Sequence, residues 1–134
     1  MRNVGYNEAI NSYQKALSED KQFWPALHNI GLIRYEQGDT KAALKAWNEA
    51  VSIDNKHPEP QLAIAVALFK QGNKNQAIKL GQAALALDNR YGKITFLEEN
   101  LWGKTLLQDT QLFFALPQIQ SIIKDSSPTS FPHE

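Results

Sequence analysis

Apolar side chains recur every three to four residues along most of this chain, with polar residues between them. Near the start, Tyr6, Ile10, Tyr13 and Leu17 keep this spacing. It places the apolar residues on one face of an α-helix. The pattern predicts no β-sheet and five amphipathic helices, at roughly residues 6–19, 25–37, 41–53, 59–71 and 74–87.

Small residues repeat with a period of 34. The repeating columns are Ala9, Ala43 and Ala77; Ala16, Ala50 and Ala84; and Asp20, Asp54 and Asp88. Such a period is typical of stacked helix pairs, because one pair alone cannot bury its apolar face. We expect the small residues where helices cross. Gly38 and Gly72 should end the first helix of each pair in a left-handed conformation, and Asp39 and Asn73 should cap the next helix.

The segment from Trp24 to His57, WPALHNIGLIRYEQGDTKAALKAWNEAVSIDNKH, closely resembles the tetratricopeptide repeat (TPR) family. The matching large and small positions are Leu27, Gly31, Tyr35, Gly38, Ala43, Trp47 and Ala50. Residues 58–91 resemble a second copy, and residues 6–23 resemble the second helix of an earlier one. The resemblance implies an all-α solenoid of helical hairpins. Gly81 departs from it, standing where other copies have an aromatic residue, and we expect close packing against a later segment there.

The repeat register fails from Gly92 onward, where large apolar residues become frequent. We predict a short amphipathic stretch at 94–101, a break at Gly103, and helices at 104–116 and 117–124. A packed cap over the last face of the solenoid is the favoured interpretation, and a grooved surface for a partner is the alternative. The predicted organisation is a partial TPR (second helix only) at 1–23, TPRs at 24–57 and 58–91, a degenerate helical capping region at 92–125, and a flexible tail at 126–134.

Composition and spacing give no indication of catalysis. Lys plus Arg and Asp plus Glu both number 14, and there is no cysteine. The balance and scatter of charge argue against a nucleic-acid or membrane partner. His28, His57 and His133 lack metal-ligand spacing, and the adjacent Glu98 and Glu99 point in different directions on a helix. We therefore predict no enzyme activity, no metal and no cofactor.

The first residues lack a signal-peptide pattern and no apolar run is long enough to span a bilayer, so a cytoplasmic location is the default expectation.

The TPR resemblance also implies a binding site, because in that family the first helices of the repeats line the concave face. The implied groove residues are His28, Leu32, Tyr35, Glu36, Leu62, Val66, Phe69 and Lys70. Their helical spacing independently forms two stripes. Leu32, Leu62 and Val66 stand where a carboxylate-binding clamp would need polar groups, so we expect an apolar or amphipathic protein segment as the ligand. The other interpretation is that the stripes are covered within the chain or in a dimer.

Two functions therefore remain open: a non-catalytic protein-interaction module that uses this groove, and a structural oligomerisation unit whose apolar surfaces are covered by other copies of the chain.

In the repeat register Met1 takes the twelfth position of a unit, so the helix at 6–18 lacks a partner from its own repeat. We expect either a piece of a longer array or a second molecule over this N-terminal edge. The alternative is a frayed monomer.

Overall fold

The computed structural model describes the backbone of residues 3–126 and the side chains of residues 5–124, and contains no β-strand in that range. Its elements are α1 (Asn3–Glu19), α2 (Trp24–Glu36), α3 (Thr40–Ile53), α4 (Pro58–Lys70), α5 (Lys74–Leu87), a 3₁₀ turn (Asn89–Gly92), α6 (Ile94–Glu99), α7 (Lys104–Phe114) and α8 (Pro117–Ser126). The all-α prediction and the five repeat helices are confirmed. Most of the predicted tail, residues 127–134, lies outside the described residues.

Consecutive helices from α1 to α5 pack against one another, as expected for stacked helical hairpins. The small residues lie at these contacts: Ala43, Ala50, Ala77 and Ala84 are fully buried. Gly31 has the same role, because a Cβ there would overlap the indole of Trp47. Trp47 is itself fully buried and donates a hydrogen bond from Nε1 to the backbone oxygen of His28, at 3.1 Å. The division into units at 24–57 and 58–91 stays a prediction.

The turns between paired helices follow the predicted chemistry, with one exception. Gly38 and Gly72 have φ values of 84° and 94°, the left-handed region in which glycine carries no Cβ penalty. The side chain of Asp39 accepts a hydrogen bond from the backbone N–H of Ala42 at 3.0 Å and so caps α3. Asn73 occupies the equivalent position before α5, but its exposed side chain makes no capping bond within the described residues. That part of the prediction is wrong.

The C-terminal helices do not continue the stack. Helix α8 packs on α5 and the 3₁₀ turn, whereas α7 lies across α2 and α4. The break at Gly103 and the start of α8 at Pro117 are as predicted. None of the helices within residues 3–126 combines the length and the apolar character needed to cross a membrane.

Candidate functional site

The eight predicted groove residues lie on α2 and α4, and we call the side of these helices that carries them the groove face. His28, Leu32, Tyr35, Leu62 and Val66 are buried, and Lys70 is exposed. Leu32, Leu62 and Val66 belong to the same hydrophobic cluster as Leu106 and Phe113 of α7. The expectation of an open groove is therefore corrected: α7 occupies the groove face, and the apolar stripes are covered within the chain. Whether these residues bind a partner stays a prediction.

Glu36 holds the N-terminal end of α7. Its two carboxylate oxygens accept hydrogen bonds from the backbone N–H groups of Thr105 and Leu106, both at 2.9 Å. These N–H groups have no acceptor inside their own helix, and the helix dipole favours a negative charge at this end. Gly103 makes the approach possible, because a Cβ at that position would overlap the Glu36 side chain. The last residue of α2 thus caps a helix of the C-terminal region.

The middle of α7 is fixed by its single acidic residue, Asp109. The hydroxyl of Tyr35 donates a hydrogen bond to Asp109 Oδ2 at 2.6 Å, and Lys70 Nζ lies 3.6 Å from Asp109 Oδ1. Burial, and then the hydrogen bond to Asp109, raise the pKa of Tyr35 far above its ordinary value. Tyr35 and Lys70 come from different helices, so Asp109 ties α2 and α4 to the same point of α7.

The C-terminal end of α7 is held by an aromatic contact. Phe113 is fully buried, and its ring centroid lies 5.5 Å from that of Phe69 at an interplanar angle of 52°. Tilted pairs at this separation are favourable because the ring edges and faces carry opposite partial charges. Gly81 of α5 provides the space for Phe113, since a Cβ at position 81 would lie 2.6 Å from Phe113 Cζ.

A buried polar cluster lies at the opposite end of the groove face. Glu59 Oε2 is 2.8 Å from His28 Nε2 and accepts a hydrogen bond from Trp102 Nε1 at 3.0 Å. Burial alone would raise the pKa of Glu59, but the hydrogen bond and charge of His28 and the indole donor outweigh it and lower that pKa. Glu59 is therefore an ionised carboxylate in an almost fully buried position.

The sequence interpretation did not name Glu59, Trp102 or Asp109 as site residues. The sequence does single out the two acids. Glu59 is the only acidic residue of α4, and Asp109 is the only acidic residue of α7. Acids on largely apolar helices are rarely buried unless they are paired. The partners themselves are separated by up to 74 positions and could be found only from the fold.

Comparison with known families supports the fold. Residues 31–72 match a family model described as TPR repeat. The matched segment runs from the second half of α2 through α3 and α4 to the turn at Gly72. No curated protein shows a significant match to the chain. Within the described residues, no group of three or more His, Asp or Glu side chains is placed to hold a metal ion.

Proposed function

We propose that this chain, which carries a TPR repeat at residues 31–72, is a non-catalytic protein–protein interaction module whose groove face binds an amphipathic helix of a partner. TPR repeats generally mediate protein–protein interactions, because stacked repeats create extended binding surfaces. The observation that carries the proposal is α7, an amphipathic helix already seated on the groove face through both polar and apolar contacts. A partner helix would take the position that α7 holds.

The contacts made by α7 define the kind of helix that fits. Glu36 favours a partner whose helix N-terminus can donate to its carboxylate. The residue before that helix must be glycine, as at Gly103, because a Cβ there would overlap Glu36. Tyr35 and Lys70 select an acid six positions after that glycine. The space beside Gly81 favours an aromatic ring four positions after the acid, which is one helical turn further along the partner helix. We therefore expect partner helices of the pattern Gly, acid at +6 and aromatic at +10.

Competition with α7 sets the affinity of such a partner. Because α7 belongs to the same chain, it acts at an effective concentration of about millimolar. A partner helix of the same intrinsic affinity, at lower concentration in solution, therefore displaces little of it from the groove face. A substitution that weakens the binding of α7 to the groove face should raise the apparent affinity of the groove face for a helix in solution. Asp109→Lys does this selectively, because it removes the acceptor of the Tyr35 hydrogen bond and repels Lys70.

The test uses a labelled peptide of residues 103–116, GKTLLQDTQLFFAL, titrated with the full chain and followed by fluorescence anisotropy. We expect saturable binding to the Asp109→Lys chain, and at least tenfold weaker binding to the unchanged chain. A peptide with Phe113→Ala is the matched control and should bind far less to either. The proposal is wrong if the peptide fails to bind an Asp109→Lys chain that circular dichroism shows to be folded, or if it binds both chains equally.

A covalent lock gives a second test. Lys70 Nζ and Asp109 Oδ1 are close enough for a carbodiimide to join them as an amide, which fixes α7 on the groove face. The cross-linked chain, verified by mass spectrometry, should no longer bind the peptide. An Asp109→Asn chain given the same treatment cannot form this link and should keep its binding. Undiminished binding to the locked chain would place the peptide elsewhere and contradict the proposal.

A further inference from the structure

Trp102, the residue directly before Gly103, is anchored on α4. It is only 4% exposed, although its neighbour Leu101 is 70% exposed. Its side chain belongs to the hydrophobic cluster that contains Leu62 of α4, and its Nε1 donates a hydrogen bond to Glu59 Oε2 at 3.0 Å. The repeats therefore hold the residue before α7 as well as α7 itself.

The acceptor of that hydrogen bond, Glu59, is a buried carboxylate that depends on its donors. Its Oε2 contacts both His28 Nε2, at 2.8 Å, and the indole of Trp102. Burial raises the pKa of Glu59, but the contacts with His28 and then with Trp102 outweigh it, and the pKa is lowered. An indole N–H can only donate. Without it, a buried charged acceptor loses one of its hydrogen bonds, which is costly.

A partner helix cannot take the place of α7 unless Trp102 withdraws. The peptide bond from Trp102 to Gly103 is about 1.33 Å long, as in any chain. Atoms that are not bonded need a separation of about 3.5 Å. A separate chain with its glycine at the position of Gly103 would therefore overlap the carbonyl carbon of Trp102 if that residue stayed in place. When Trp102 withdraws, Glu59 loses its indole donor.

We propose that the groove face includes a subsite for an indole side chain at Glu59, which the partner fills with a tryptophan directly before its glycine. We call it the indole subsite. This inference rests on the proposed function and adds one position to the expected pattern, which becomes Trp at −1, Gly, acid at +6 and aromatic at +10. Tryptophan fits because it combines a donor-only N–H with a large apolar ring. A tryptophan of the partner thus replaces both contacts that Trp102 gives up.

The first test compares two peptides on the Asp109→Lys chain by fluorescence anisotropy. One spans residues 102–116, WGKTLLQDTQLFFAL, and the other spans 103–116. Both are N-acetylated and labelled at the C-terminal end, so they differ only in the tryptophan. We expect the longer peptide to bind about tenfold more tightly, because it brings the donor for Glu59. Equal binding would overturn the indole subsite alone, and failure of both peptides to bind the folded chain would overturn the proposed function with it.

An isosteric peptide separates the hydrogen bond from the bulk of the ring. 3-Benzothienylalanine in place of Trp102 keeps a fused ring of similar shape but has sulfur where the indole has N–H, so it cannot donate. We expect this change to weaken binding of the 102–116 peptide by about fivefold or more. Equal binding of the two peptides would refute a subsite that selects a donor. The comparison uses one and the same protein chain, so altered folding cannot explain its result.

A third peptide controls for unspecific attraction of an added tryptophan. Leu112 of α7 is 55% exposed, so Leu112→Trp in the 103–116 peptide places an indole on the solvent side of the helix. We expect this peptide to bind as the unchanged 103–116 peptide does. A gain equal to that of the 102–116 peptide would show that an indole at any position raises the affinity, which contradicts a dedicated subsite.

The withdrawal of Trp102 is observable in the ¹⁵N-labelled Asp109→Lys chain, because an unlabelled peptide adds no signal. We expect the indole N–H signal of Trp102 to move on saturation with the 102–116 peptide, since its hydrogen bond to Glu59 is lost. The indole of Trp47 is the internal control, because it is fully buried, donates to the backbone oxygen of His28 and should move much less. An unmoved Trp102 signal with the peptide bound would overturn the inference.

Two further variants of the Asp109→Lys chain assign the selectivity to Glu59. Glu59→Met removes the acceptor oxygens and keeps an unbranched side chain of similar length. It should abolish the preference for tryptophan over benzothienylalanine in the 102–116 peptide. Glu8→Met, on the exposed face of α1, is the matched control and should keep that preference. A folded Glu59→Met chain with an undiminished preference would refute the assignment to Glu59.

Discussion

Phe113 occupies the space that a side chain at position 81 would need, and Gly81 is the reason that α7 can lie so close to α5. A glycine inside a helix costs about 1 kcal/mol relative to alanine. Full burial of a phenylalanine side chain contributes about 1.5–3 kcal/mol, so the packing of Phe113 outweighs that cost. The glycine therefore serves the contact between the repeats and the C-terminal region, as the sequence interpretation expected.

The first prediction follows from this contact. Gly81→Ala should destabilise the protein by about 1–3 kcal/mol, because the new methyl group displaces a ring that is fixed in a filled core. Helix propensity alone would predict the opposite result, a more stable protein, because alanine favours the helix more than glycine does. Urea denaturation followed by circular dichroism measures the difference in the free energy of unfolding.

Gly5→Ala is the matched control. Gly5 is an exposed residue of α1, and a Cβ built there meets nothing within 4 Å in the described part of the chain. Alanine at this position should stabilise the protein by about 0.5–1 kcal/mol. If Gly81→Ala stabilised the protein as Gly5→Ala does, the close contact with Phe113 would be incorrect.

The second prediction concerns the cap on α7. Glu36→Ala should cost about 0.5–2 kcal/mol, because the N–H groups of Thr105 and Leu106 lose their charged acceptor. Hydrogen exchange of these two amides should also become faster. Glu49→Ala, an exposed change on α3, is the control and should alter neither quantity appreciably. Unchanged exchange at 105 and 106 in Glu36→Ala would show that Glu36 does not cap the helix.

The repeat helices could be predicted from sequence because their determinants are local. Gly38 and Gly72 lie at turns that require positive φ. Four alanines of the period-34 columns are fully buried where neighbouring helices pack, namely Ala43, Ala50, Ala77 and Ala84. These features depend on residues close in sequence or one repeat away. Five helices could therefore be placed to within a few residues of their observed ends.

The state of the groove face could not be predicted in the same way. Its apolar stripes fit both an open binding surface and a covered one, because hydrophobic spacing shows which side of a helix avoids water but not what covers it. The pairing of Tyr35 with Asp109 spans 74 positions, and that of His28 with Glu59 spans 31. Such pairs depend on where α7 and α4 lie in three dimensions.

The third prediction is a loss of stability in alkali. Burial, together with the carboxylates of Glu59 and Asp88, raises the pKa of Tyr91 to about 12 from an ordinary value of 10.0. A raised pKa means that the folded state holds the proton more tightly, so the contribution is complete below pH 10 and is lost as pH rises towards 12. The unfolding midpoint in urea should fall across this window.

Tyr91→Phe should flatten that fall, because phenylalanine does not titrate. Tyr13→Phe on α1 is the control and should leave the slope of stability against pH nearly unchanged. An equally steep loss of stability in Tyr91→Phe would assign the alkaline effect to other groups. Tyr35, whose pKa is also raised, should contribute to the slope that remains.

The fourth prediction concerns Leu101, which follows α6. It has a φ of 72°, the only positive value among the described non-glycine residues, and its side chain is 70% exposed. The N–H of Trp102 donates to the carbonyl of Leu97 at 3.1 Å, closing the turn that usually places glycine at this position. A left-handed conformation costs a residue with a Cβ about 1–2 kcal/mol.

Leu101→Gly should therefore stabilise the protein by about 1 kcal/mol, measured as a higher urea midpoint with an unchanged slope. Leu101→Ala separates the two possible causes, because alanine removes the exposed apolar surface but keeps the Cβ and its strain. It should leave stability nearly unchanged. If alanine stabilised the protein as much as glycine does, the gain would come from removing exposed leucine rather than from the backbone. If neither substitution stabilised the protein, the positive φ at position 101 would not strain the backbone by the expected amount.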